Sequence, residues 1–401
     1  MSSKIPFSIV IITRNEESKL PRLLKNCKEF LADGGEIIVM DTGSKDDTIK
    51  IAKEAGCITY EVGDQFAFYV SKQQATKLTK RFMLDGGTSL FTANQRIFHF
   101  GNARQHASTY ATNDIIFSID ASDLLLSFDY KTITKKILEE NKARFRYRQF
   151  YGGSDLEISR IYDRRVDKWS GCIHEILSMN FKKEQEFICN DKILRVKHDN
   201  DKVVVRNYAS GLAMDNIKFP NDARWYYYLG REFYYNKLHK SAINILEKYA
   251  VMKHAWLPER SDAYCLIGKC HEGISDKYED ITKPENAEIR LVERSKAVLS
   301  YLKAFELYSD RREPLIALGY LHLKDKHFRK AICYARAAMA IPSGLSSFAE
   351  NVGNYTHEPH QIIYRSCSWL GMKDEGRVHW KEALRFLPDA KWIKDHASFF
   401  E

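Results

Sequence analysis

The most informative part of the sequence reads Asp114-Ile115-Ile116-Phe117-Ser118-Ile119-Asp120-Ala121-Ser122-Asp123. Its apolar, β-branched run from Ile115 to Ile119 is short, which favours a buried strand of a parallel sheet over a helix. Asp120 and Asp123 then follow the strand, at the edge where open α/β sheets bind their ligands. Two carboxylates in that place can hold Mg²⁺ or Mn²⁺ against a diphosphate. The same residues also fit an Asx turn with a helix N-cap, so the neighbouring motifs must distinguish a site from a turn.

The chain before this stretch alternates between strand and helix patterns. Strands are predicted at 7–13, 36–41 and 57–62, and helices at 18–31 and 46–55. This order predicts a right-handed, mostly parallel sheet. Polar residues follow each strand, so we expect them at the ligand-binding edge of that sheet.

Length and composition narrow the class of protein. The 401 residues allow two or three domains, and 44% of them are hydrophobic, which is enough for sizeable cores. No apolar run reaches the roughly 18 residues of a membrane span. The short run 9–12 leads directly to Arg14 and does not have the form of a signal peptide. We therefore expect a cytoplasmic protein without a membrane span.

Charge and cysteine usage limit the partners further. The net charge of +9 favours anionic ligands or an acidic partner surface. The basic residues are spread along the chain, and no recognition-helix or RNA-binding motif is present, so no nucleic-acid partner is expected. The eight cysteines lie between Cys27 and Cys367, and their spacing predicts neither a zinc site nor a disulfide framework.

Residues 66–97 form a long connection with little pattern. It includes the basic residues Lys72, Lys77, Lys80 and Arg81 and the paired glycines Gly86 and Gly87. The connection exceeds the usual length of a loop. We expect either a lid or acceptor-contacting insertion, or a solvated excursion over the surface.

The chain after residue 205 has helical patterns only. A helical bridge is predicted at 207–214, Pro220 breaks the chain, and helix pairs follow at 225–252, 263–307, 314–342 and 360–388. Small residues recur with a period of about 34, as in tetratricopeptide repeats. An irregular helical bundle is the alternative. The predicted domains are therefore a sheet domain 1–205, a helical linker 206–220 and a repeat domain 221–401.

Four motifs of the first half resemble family 2 glycosyltransferases, and they occur in that family's order. They are Ile11-Ile12-Thr13-Arg14-Asn15-Glu16-Glu17, Val39-Met40-Asp41-Thr42-Gly43-Ser44-Lys45-Asp46-Asp47-Thr48, Phe100-Gly101-Asn102-Ala103-Arg104, and Ile119 to Asp123 at the place of the family's Asp-x-Asp motif. The resemblance covers about residues 6–200. It implies a GT-A fold, a nucleotide-diphospho-sugar donor with a UDP-sugar as the first expectation, and Mn²⁺ or Mg²⁺ as cofactor.

The resemblance also implies roles for single residues. Donor binding is assigned to Thr13, Arg14, Glu16, Asp41, Asn102, Arg104 and Asp120. In this assignment Thr13 and Glu16 line the nucleoside pocket, and Asp41 accepts a hydrogen bond from the base. Arg104 offsets the charge of the diphosphate.

The metal ligands that the resemblance implies are Asp120, Asp123 and the late histidine His198. A neutral imidazole suits Mn²⁺, although a surface histidine is the alternative reading of His198. The family often has an acid where this chain has Ser122. Either ligation shifts to Asp123 or the metal site is weakened.

Trp169-Ser170-Gly171-Cys172-Ile173-His174-Glu175 resembles the acceptor-side motif of the subgroup of lipopolysaccharide-core and bacteriocin S-glycosyltransferases. It implies that Glu175 is the general base of an inverting transfer, in which a carboxylate takes the proton of the acceptor. A hydrogen-bonded pair of His174 and Glu175 is the alternative. Arg160 either supports the phosphates or ties down a loop.

Residue patterns and resemblance together predict an α/β GT-A domain followed by an all-α repeat domain. The predicted activity is inverting, metal-dependent transfer, of the hexosyltransferase type, to a protein or glycan acceptor that the repeats hold. A second hypothesis is a repeat scaffold whose transferase-like domain has lost activity, because Ser122 interrupts the metal motif. A nucleotidyltransferase is less expected, since the sequence has no N-terminal glycine-rich phosphate loop.

Overall fold

The computed structural model describes residues 5–400, apart from 88, 152–153, 179, 200–206, 281, 345–347 and 349. The chain divides into two compact units. The first comprises Met1–Lys77 and Leu90–Asp215, and the second comprises Leu78–Ser89 and Asn216–Glu401. A short excursion of the first half of the chain therefore belongs to the second unit, and the later boundary lies inside the predicted linker.

Strands supply the frame of the first unit. In chain order they are β1 (Phe7–Thr13), β2 (Glu36–Asp41), β3 (Ile58–Glu61), β4 (Ala67–Tyr69), β5 (Arg96–Phe98), β6 (Ile115–Asp120), β7 (Asp123–Phe128), β8 (Arg144–Tyr151), β9 (Ser154–Asp163), β10 (Trp169–Ser170), β11 (Ile176–Leu177), β12 (Glu186–Ile188) and β13 (Leu194–His198). The α-helices before residue 219 are α1 (Leu20–Asn26), α2 (Lys28–Ala32), α3 (Thr48–Glu54), α4 (Lys72–Phe82), α5 (Phe100–Ala107), α6 (Tyr130–Glu140) and α7 (Ala209–Lys218).

The main sheet is mixed and largely parallel. Its order is β3-β2-β1-β6-β9-β8-β13-β7, and β12 also pairs with β8. Strands β1, β2, β3 and β6 run parallel, whereas β9 is antiparallel to both β6 and β8. The strands predicted at 7–13 and 36–41 are confirmed to the residue. The predicted fold class, a largely parallel α/β sheet followed by a helix-rich region, is also confirmed.

Both faces of the parallel half of the sheet are covered. Phe7, Ile9 and Ile11 of β1 belong to one core, and Val10 belongs to a second core together with Ile38 of β2. All five side chains are at most 2% exposed. Burial on both faces accounts for the continuous apolar runs, since a sheet with one solvated face alternates apolar and polar residues.

Strand register brings the ends of β1, β2 and β6 to one edge of the sheet. Thr13 pairs with Asp41 across β1 and β2, and Ile12 pairs with Asp120 across β1 and β6. Parallel strands end at a common edge, so the polar residues that follow them converge there. This edge carries the candidate site.

A second strand pairing, between β7 and β13, places His198 beside the acids. Strand β7 leaves β6 after only Ala121 and Ser122, and it pairs antiparallel with β13. In this pairing His198 lies opposite Asp123. Two residues 75 positions apart in sequence are thereby adjacent at the edge of the sheet.

Residues 66–97 contain more regular secondary structure than the sequence analysis predicted. Strands β4 and β5 form an antiparallel two-stranded sheet, and α4 lies between them in the chain. Ala75, Leu78 and Phe82 of α4 are at most 7% exposed, and their spacing of three and four residues marks one helix face. The predicted absence of pattern is therefore wrong, because three apolar residues at helical spacing were hidden among basic ones. The lid role stays a hypothesis.

The second unit is helical. Its α-helices after α7 are α8 (Ala223–Tyr235), α9 (His239–Ala250), α10 (Leu257–Ser275), α11 (Pro284–Leu307), α12 (Glu313–Lys324), α13 (Phe328–Met339), α14 (Val352–Tyr355), α15 (His357–Leu370), α16 (Lys373–Phe386), α17 (Lys391–Lys394) and α18 (Ala397–Phe400). Helices α8 and α9, α10 and α11, α12 and α13, and α15 and α16 pack as consecutive pairs, which confirms the predicted helix pairs. None of the described helices combines the length and the apolar character needed to cross a membrane.

Glycines let the helices of a pair approach closely. A Cβ at Gly230 of α8 would lie 2.6 Å from Leu246 of α9, and a Cβ at Gly268 of α10 would lie 2.5 Å from Tyr301 of α11. These contacts explain why small residues recur in the sequence. In the fourth pair Tyr364 takes the place of the glycine and is completely buried.

The segment Leu78–Ser89 supplies a helix cap within the second unit. The Asp85 carboxylate accepts hydrogen bonds from the backbone N–H groups of Lys240 (3.1 Å) and Ser241 (2.9 Å), and from the Ser241 hydroxyl (2.7 Å). Both residues lie in the first turn of α9, whose own N-cap residue, Leu238, makes no side-chain cap. Asp85 therefore satisfies N–H groups that a helix cannot satisfy by itself.

We predict that Asp85→Ala accelerates amide hydrogen exchange in α9. Loss of a capping aspartate lowers the stability of a helix by about 0.5–2 kcal/mol, and 1–2 kcal/mol corresponds to an equilibrium change of roughly 5- to 30-fold. Exchange is measured by mass spectrometry on the full chain. Asp374→Ala is the matched control, because Asp374 lies in the first turn of α16 but its side chain is 99% exposed. Unchanged exchange of α9 in Asp85→Ala would contradict the cap.

The Asp85 cap also implies a pH dependence. Burial alone would raise the pKa of Asp85, but hydrogen bonds from Ser241 and Lys240 hold that pKa below its usual value. The folded pKa is then lower than the unfolded value of about 3.9. Stabilisation by Asp85 is complete above the unfolded pKa and is lost as the pH falls through the folded pKa. The difference in the amide exchange rate of α9 between wild type and Asp85→Ala should therefore shrink on acidification.

Candidate functional site

Three predicted metal ligands meet at the carboxyl edge of the sheet. Asp120 ends β6, Asp123 begins β7 and His198 ends β13. One potential ligand atom from each lies within 4.8 Å of the other two. The three residues therefore form one cluster, although the sequence separates His198 from the acids.

Asp123 is the buried member of the cluster. Its side chain is 0% exposed, and its Oδ1 lies 2.6 Å from Nδ1 of His198. The same oxygen accepts a hydrogen bond from Nε2 of Gln149 at 3.1 Å, and Oδ2 accepts one from the backbone N–H of Asp120 at 3.1 Å. Both carboxylate oxygens are thus held by groups of the protein.

Asp120 is the more exposed acid and pairs with two arginines. Its Oδ1 accepts a hydrogen bond from Nη2 of Arg104 at 2.5 Å, and its Oδ2 accepts one from Nη1 of Arg160 at 2.6 Å. Burial alone would raise the pKa of Asp120, but the two guanidinium charges hold that pKa well below its usual range. Asp120 is therefore a carboxylate at neutral pH.

Arg104 of α5 joins the acid cluster to the predicted base. It is 4% exposed, and its Nε donates to Oε1 of Glu175 at 2.7 Å while its Nη2 donates to Asp120. Its Nη1 donates to the Ser118 hydroxyl at 3.2 Å, and its Cζ lies 5.4 Å from the ring centroid of Trp169. One guanidinium group thus sets the spacing between Asp120 and Glu175.

Backbone contacts hold the loop of the predicted base against α5. The N–H of Phe100 donates to the carbonyl of Cys172 (2.9 Å), and the N–H of Gly101 donates to the carbonyl of Gly171 (3.2 Å). A Cβ at Gly101 would lie 2.4 Å from the Gly171 oxygen, so a larger residue would push the loop away. The Phe-Gly-Asn-Ala-Arg motif therefore has a steric reason for its glycine.

Asp41 is occupied by its own loop. Its Oδ2 accepts hydrogen bonds from the N–H groups of Gly43 and Ser44, each at 2.9 Å. Its Oδ1 accepts hydrogen bonds from the hydroxyls of Ser44 and Thr13, the latter at 3.4 Å. Asp41 and Thr13 are both 3% exposed. Asp41 thus shapes the turn after β2, and its contact with a base stays a prediction.

The other predicted donor residues occupy three separate places. Arg14 follows β1 and donates to Asp64 at 2.6 Å. The backbone N–H of Glu16 donates to the Thr48 hydroxyl at 2.8 Å, which ties the loops after β1 and β2 together. Asn102 lies exposed on α5. Their roles in donor binding stay predictions.

Sequence reasoning missed three polar residues at the cluster. They are Ser118 of β6, which accepts from Arg104, and Tyr147 and Gln149 of β8. Tyr147 and Gln149 are two positions apart, so they share a face of their strand. Both are buried, at 0% and 6% exposure. Polar side chains at alternate positions among the aromatic residues of this segment are the signal that could have pointed to them.

The residues present fit a divalent metal. Two carboxylates and an imidazole are a donor set that suits Mn²⁺ or Mg²⁺. The buried Tyr147 hydroxyl has no hydrogen-bond partner among the described residues, and the charges of Asp123 and Asp120 act on it. Burial raises the pKa of Tyr147, so its hydroxyl stays a donor. The Tyr147 hydroxyl can therefore donate to a further polar group at this cluster.

Solved structures of low sequence identity resemble parts of the chain. TarS of S. aureus, in complex with UDP-GlcNAc, is 12% identical with a TM-score of 0.38, and the match covers 72% of this chain and 90% of that chain. A thermophilic TPR protein of Thermus thermophilus is 15% identical with a TM-score of 0.37, over 48% of this chain and 89% of that chain. Glucosyl-3-phosphoglycerate synthase of Mycobacterium tuberculosis, with Mn²⁺ and UDP, is 18% identical with a TM-score of 0.23, over 37% of this chain and 44% of that chain.

A protein-family model matches the start of the first unit. It is the model described as glycosyl transferase family 2, and it covers residues 8–65. This segment holds β1 from its second residue, β2 with Asp41 at its end, β3, and the loops that carry Arg14 and Asp64. The first two motifs of the sequence resemblance lie inside it, and the other two lie beyond it. The segment 8–65 thus carries the sequence pattern of the family 2 glycosyl transferases.

Proposed function

We propose that the protein is an inverting, metal-dependent glycosyltransferase that uses a nucleotide-diphospho-sugar. The observation that carries the proposal is the chain of contacts from the Asp120–Asp123–His198 cluster through Arg104 to Glu175. These contacts support the proposal because they hold the candidate metal ligands and the candidate base in one network. The family match to residues 8–65 supports a sugar donor over other diphosphates.

The donor diphosphate would meet the cluster through Asp120, His198 and Arg160. A bound Mn²⁺ or Mg²⁺ stabilises the charge of the departing diphosphate. Arg160 is 22% exposed and can turn part of its guanidinium to the diphosphate. Arg104 is 4% exposed and already donates to three groups, so we assign it to positioning.

Glu175 would take the proton from the acceptor. Its side chain is 11% exposed, and the hydrogen bond from Arg104 fixes one carboxylate oxygen. The second oxygen is the one we assign to the acceptor proton. An inverting transfer needs this base on the side of the sugar opposite the leaving diphosphate.

The acceptor is proposed to be a protein or glycan that the helical unit holds. Paired helices of this type commonly present a surface to large or extended partners. The scaffold hypothesis remains the rival, because an acid is missing at Ser122. The scaffold hypothesis predicts that the protein catalyses no metal-dependent reaction of any nucleotide sugar, whereas the transferase proposal predicts one.

The central test is a screen of nucleotide sugars for donor hydrolysis by the full chain. Hydrolysis of at least one UDP-sugar in the presence of Mn²⁺ or Mg²⁺, and its loss with a chelator, is the expected result. Asp120→Asn should lower the affinity for UDP with Mn²⁺ by at least about 10-fold, as seen when metal sites lose a supporting group. Calorimetry gives this affinity.

Asp114→Asn is the matched control for Asp120→Asn. Asp114 directly precedes β6, so the two aspartates flank opposite ends of one strand. Its carboxylate pairs with Arg164 and Arg165 instead of the cluster. Equal UDP affinity of wild type and Asp120→Asn, with and without Mn²⁺, would exclude the proposed metal site.

We predict that Glu175→Gln keeps donor binding and loses transfer to an acceptor. The amide has the shape of the carboxylate but cannot take a proton, and loss of a general base costs on the order of 10² to 10⁴ in rate. Rates of sugar transfer and UDP affinity are measured on the same preparations. Glu157→Gln, in an exposed pair with Arg146, is the control. Near-normal transfer by Glu175→Gln would place the base elsewhere.

A further inference from the structure

The loop that carries the candidate base is held on two sides. On one side the carbonyls of Gly171 and Cys172 accept hydrogen bonds from the first two residues of α5. On the other side lies α7, whose residues 209–215 belong to the first unit. The backbone N–H of Cys172 donates to Oδ2 of Asp215 on α7 at 2.6 Å, and Asp215 is 4% exposed. A buried carboxylate thus binds the loop three residues before Glu175.

Close packing supports the same contact between α7 and the loop. A Cβ at Gly211 of α7 would lie 2.7 Å from Cγ1 of Ile173 and 3.3 Å from Cγ2 of Ile97 in β5. The Cys172 side chain faces β5 as well, because its Sγ lies 3.6 Å from the carbonyl oxygen of Phe98. The loop is therefore enclosed between α7 and β5, and a larger residue at position 211 would push it away.

The end of the connection 66–97 anchors the start of α7. Nε2 of Gln95 donates to the carbonyl of Asn207 at 3.1 Å, and Oε1 of Gln95 accepts from the Ser210 hydroxyl at 2.6 Å. Nδ2 of Asn207 donates to the carbonyl of Leu90 at 2.7 Å. Four hydrogen-bonding groups of two side chains and two main-chain carbonyls thereby fix α7 relative to β5. Asp215 consequently meets the loop from a helix whose position is set.

The backbone of the loop is strained at the residue before the base. His174 has a φ of 54°, in the left-handed region that residues with a side chain rarely adopt. Such a conformation persists only where the surroundings impose it, and it is common at functional sites. Here both neighbours are held, since Asp215 binds Cys172 and Arg104 binds Glu175 at 2.7 Å. The chain must turn between these two fixed residues, and His174 makes the turn.

We propose that Asp215 is a positioning residue for Glu175 and holds the loop in the conformation that presents the base to the acceptor. The inference rests on the proposed function and adds to it a residue from outside the motifs of the sequence resemblance. Without the Asp215 carboxylate the N–H of Cys172 loses its partner, and the strained turn at His174 can relax. A displacement of a reacting group by about 1 Å can lower a rate by about 10²-fold.

Amide hydrogen exchange of the full chain tests the placement without an activity assay. In Asp215→Ala the amide of Cys172 should exchange roughly 10- to 100-fold faster, which is the equilibrium effect of losing a hydrogen bond to a charged group. Asp215→Asn is the conservative variant, because its amide oxygen can still accept from this N–H, and it should keep most of the protection. Unchanged exchange at Cys172 in Asp215→Ala would overturn the inference.

Asp129→Ala is the matched control for Asp215→Ala. Asp129 also uses its carboxylate to accept from a backbone N–H, that of Thr132 at 2.9 Å, and this contact caps α6. Its removal should accelerate exchange in the first turn of α6 and leave the amide of Cys172 unchanged. Equal acceleration at Cys172 in both variants would indicate a general loss of stability and would contradict a specific role for Asp215.

Kinetics separate positioning from a loss of structure. The probe is UDP release from the UDP-sugar that the screen identifies, with water as the acceptor whose proton Glu175 takes. Asp215→Ala should lower kcat roughly 10- to 100-fold and leave the affinity for UDP with Mn²⁺ unchanged, and Asp215→Asn should restore most of kcat. In the Glu175→Gln background Asp215→Ala should change the residual rate little, because no base remains to be placed. An equal loss in both backgrounds would overturn the positioning role.

The two measurements distinguish this inference from the proposed function. Metal-dependent hydrolysis by Asp215→Ala at the wild-type rate would leave the function intact and remove the role given to Asp215. Faster exchange at Cys172 in a wild-type background that hydrolyses no nucleotide sugar would remove the function, and with it the base that Asp215 is proposed to place.

Discussion

The parallel hydrogen bonding of β1 to β2 and β6 fixes the relative positions of Thr13, Asp41 and Asp120 at one edge of the sheet. Side chains of a strand alternate between faces, so a slip of one residue would move Ile9 and Ile11 from one core to the other. The same slip would change the offset of Asp120 relative to Thr13. Because both faces of β1 are buried, the core tolerates no slip. The geometry of the polar edge is therefore a consequence of apolar packing several residues away.

The acids and arginines at this edge offset one another only in part. Three acids, Asp120, Asp123 and Glu175, face two guanidinium groups, those of Arg104 and Arg160, and most of these side chains are largely withdrawn from water. Burial of charge costs free energy that ion pairs rarely recover in full, so such a network is weak evidence for stability. It is better evidence for a site, because perturbed ionisable groups collect where chemistry is done.

Much of this arrangement can be predicted from the sequence, and the predictions that failed did so for physical reasons. β1 and β2 have apolar runs bounded by polar turns, and both occur where expected. The meeting of Asp123 and His198 depends on a strand register that residue spacing does not express. The engagement of Asp41 depends on Gly43 at a φ of 97°, which turns the N–H of Ser44 onto the carboxylate. The helix α4 was missed because its basic residues concealed a short apolar face.

Because Leu78–Ser89 belongs to the helical unit, this unit consists of two separate parts of the sequence. The division affects how the unit folds during translation and how it passes from one protein to another. Asp85 and Ser241 are 156 positions apart, so during synthesis on the ribosome the capping segment emerges long before the helix that it caps. Asp85 therefore has no helix to cap until the strands that follow it and the start of α9 have been translated. A single recombination event between residues 205 and 220 would deliver the helices without their cap. Exchange of both parts of this unit without residues 90–215 requires three crossovers, which favours its inheritance together with the sheet.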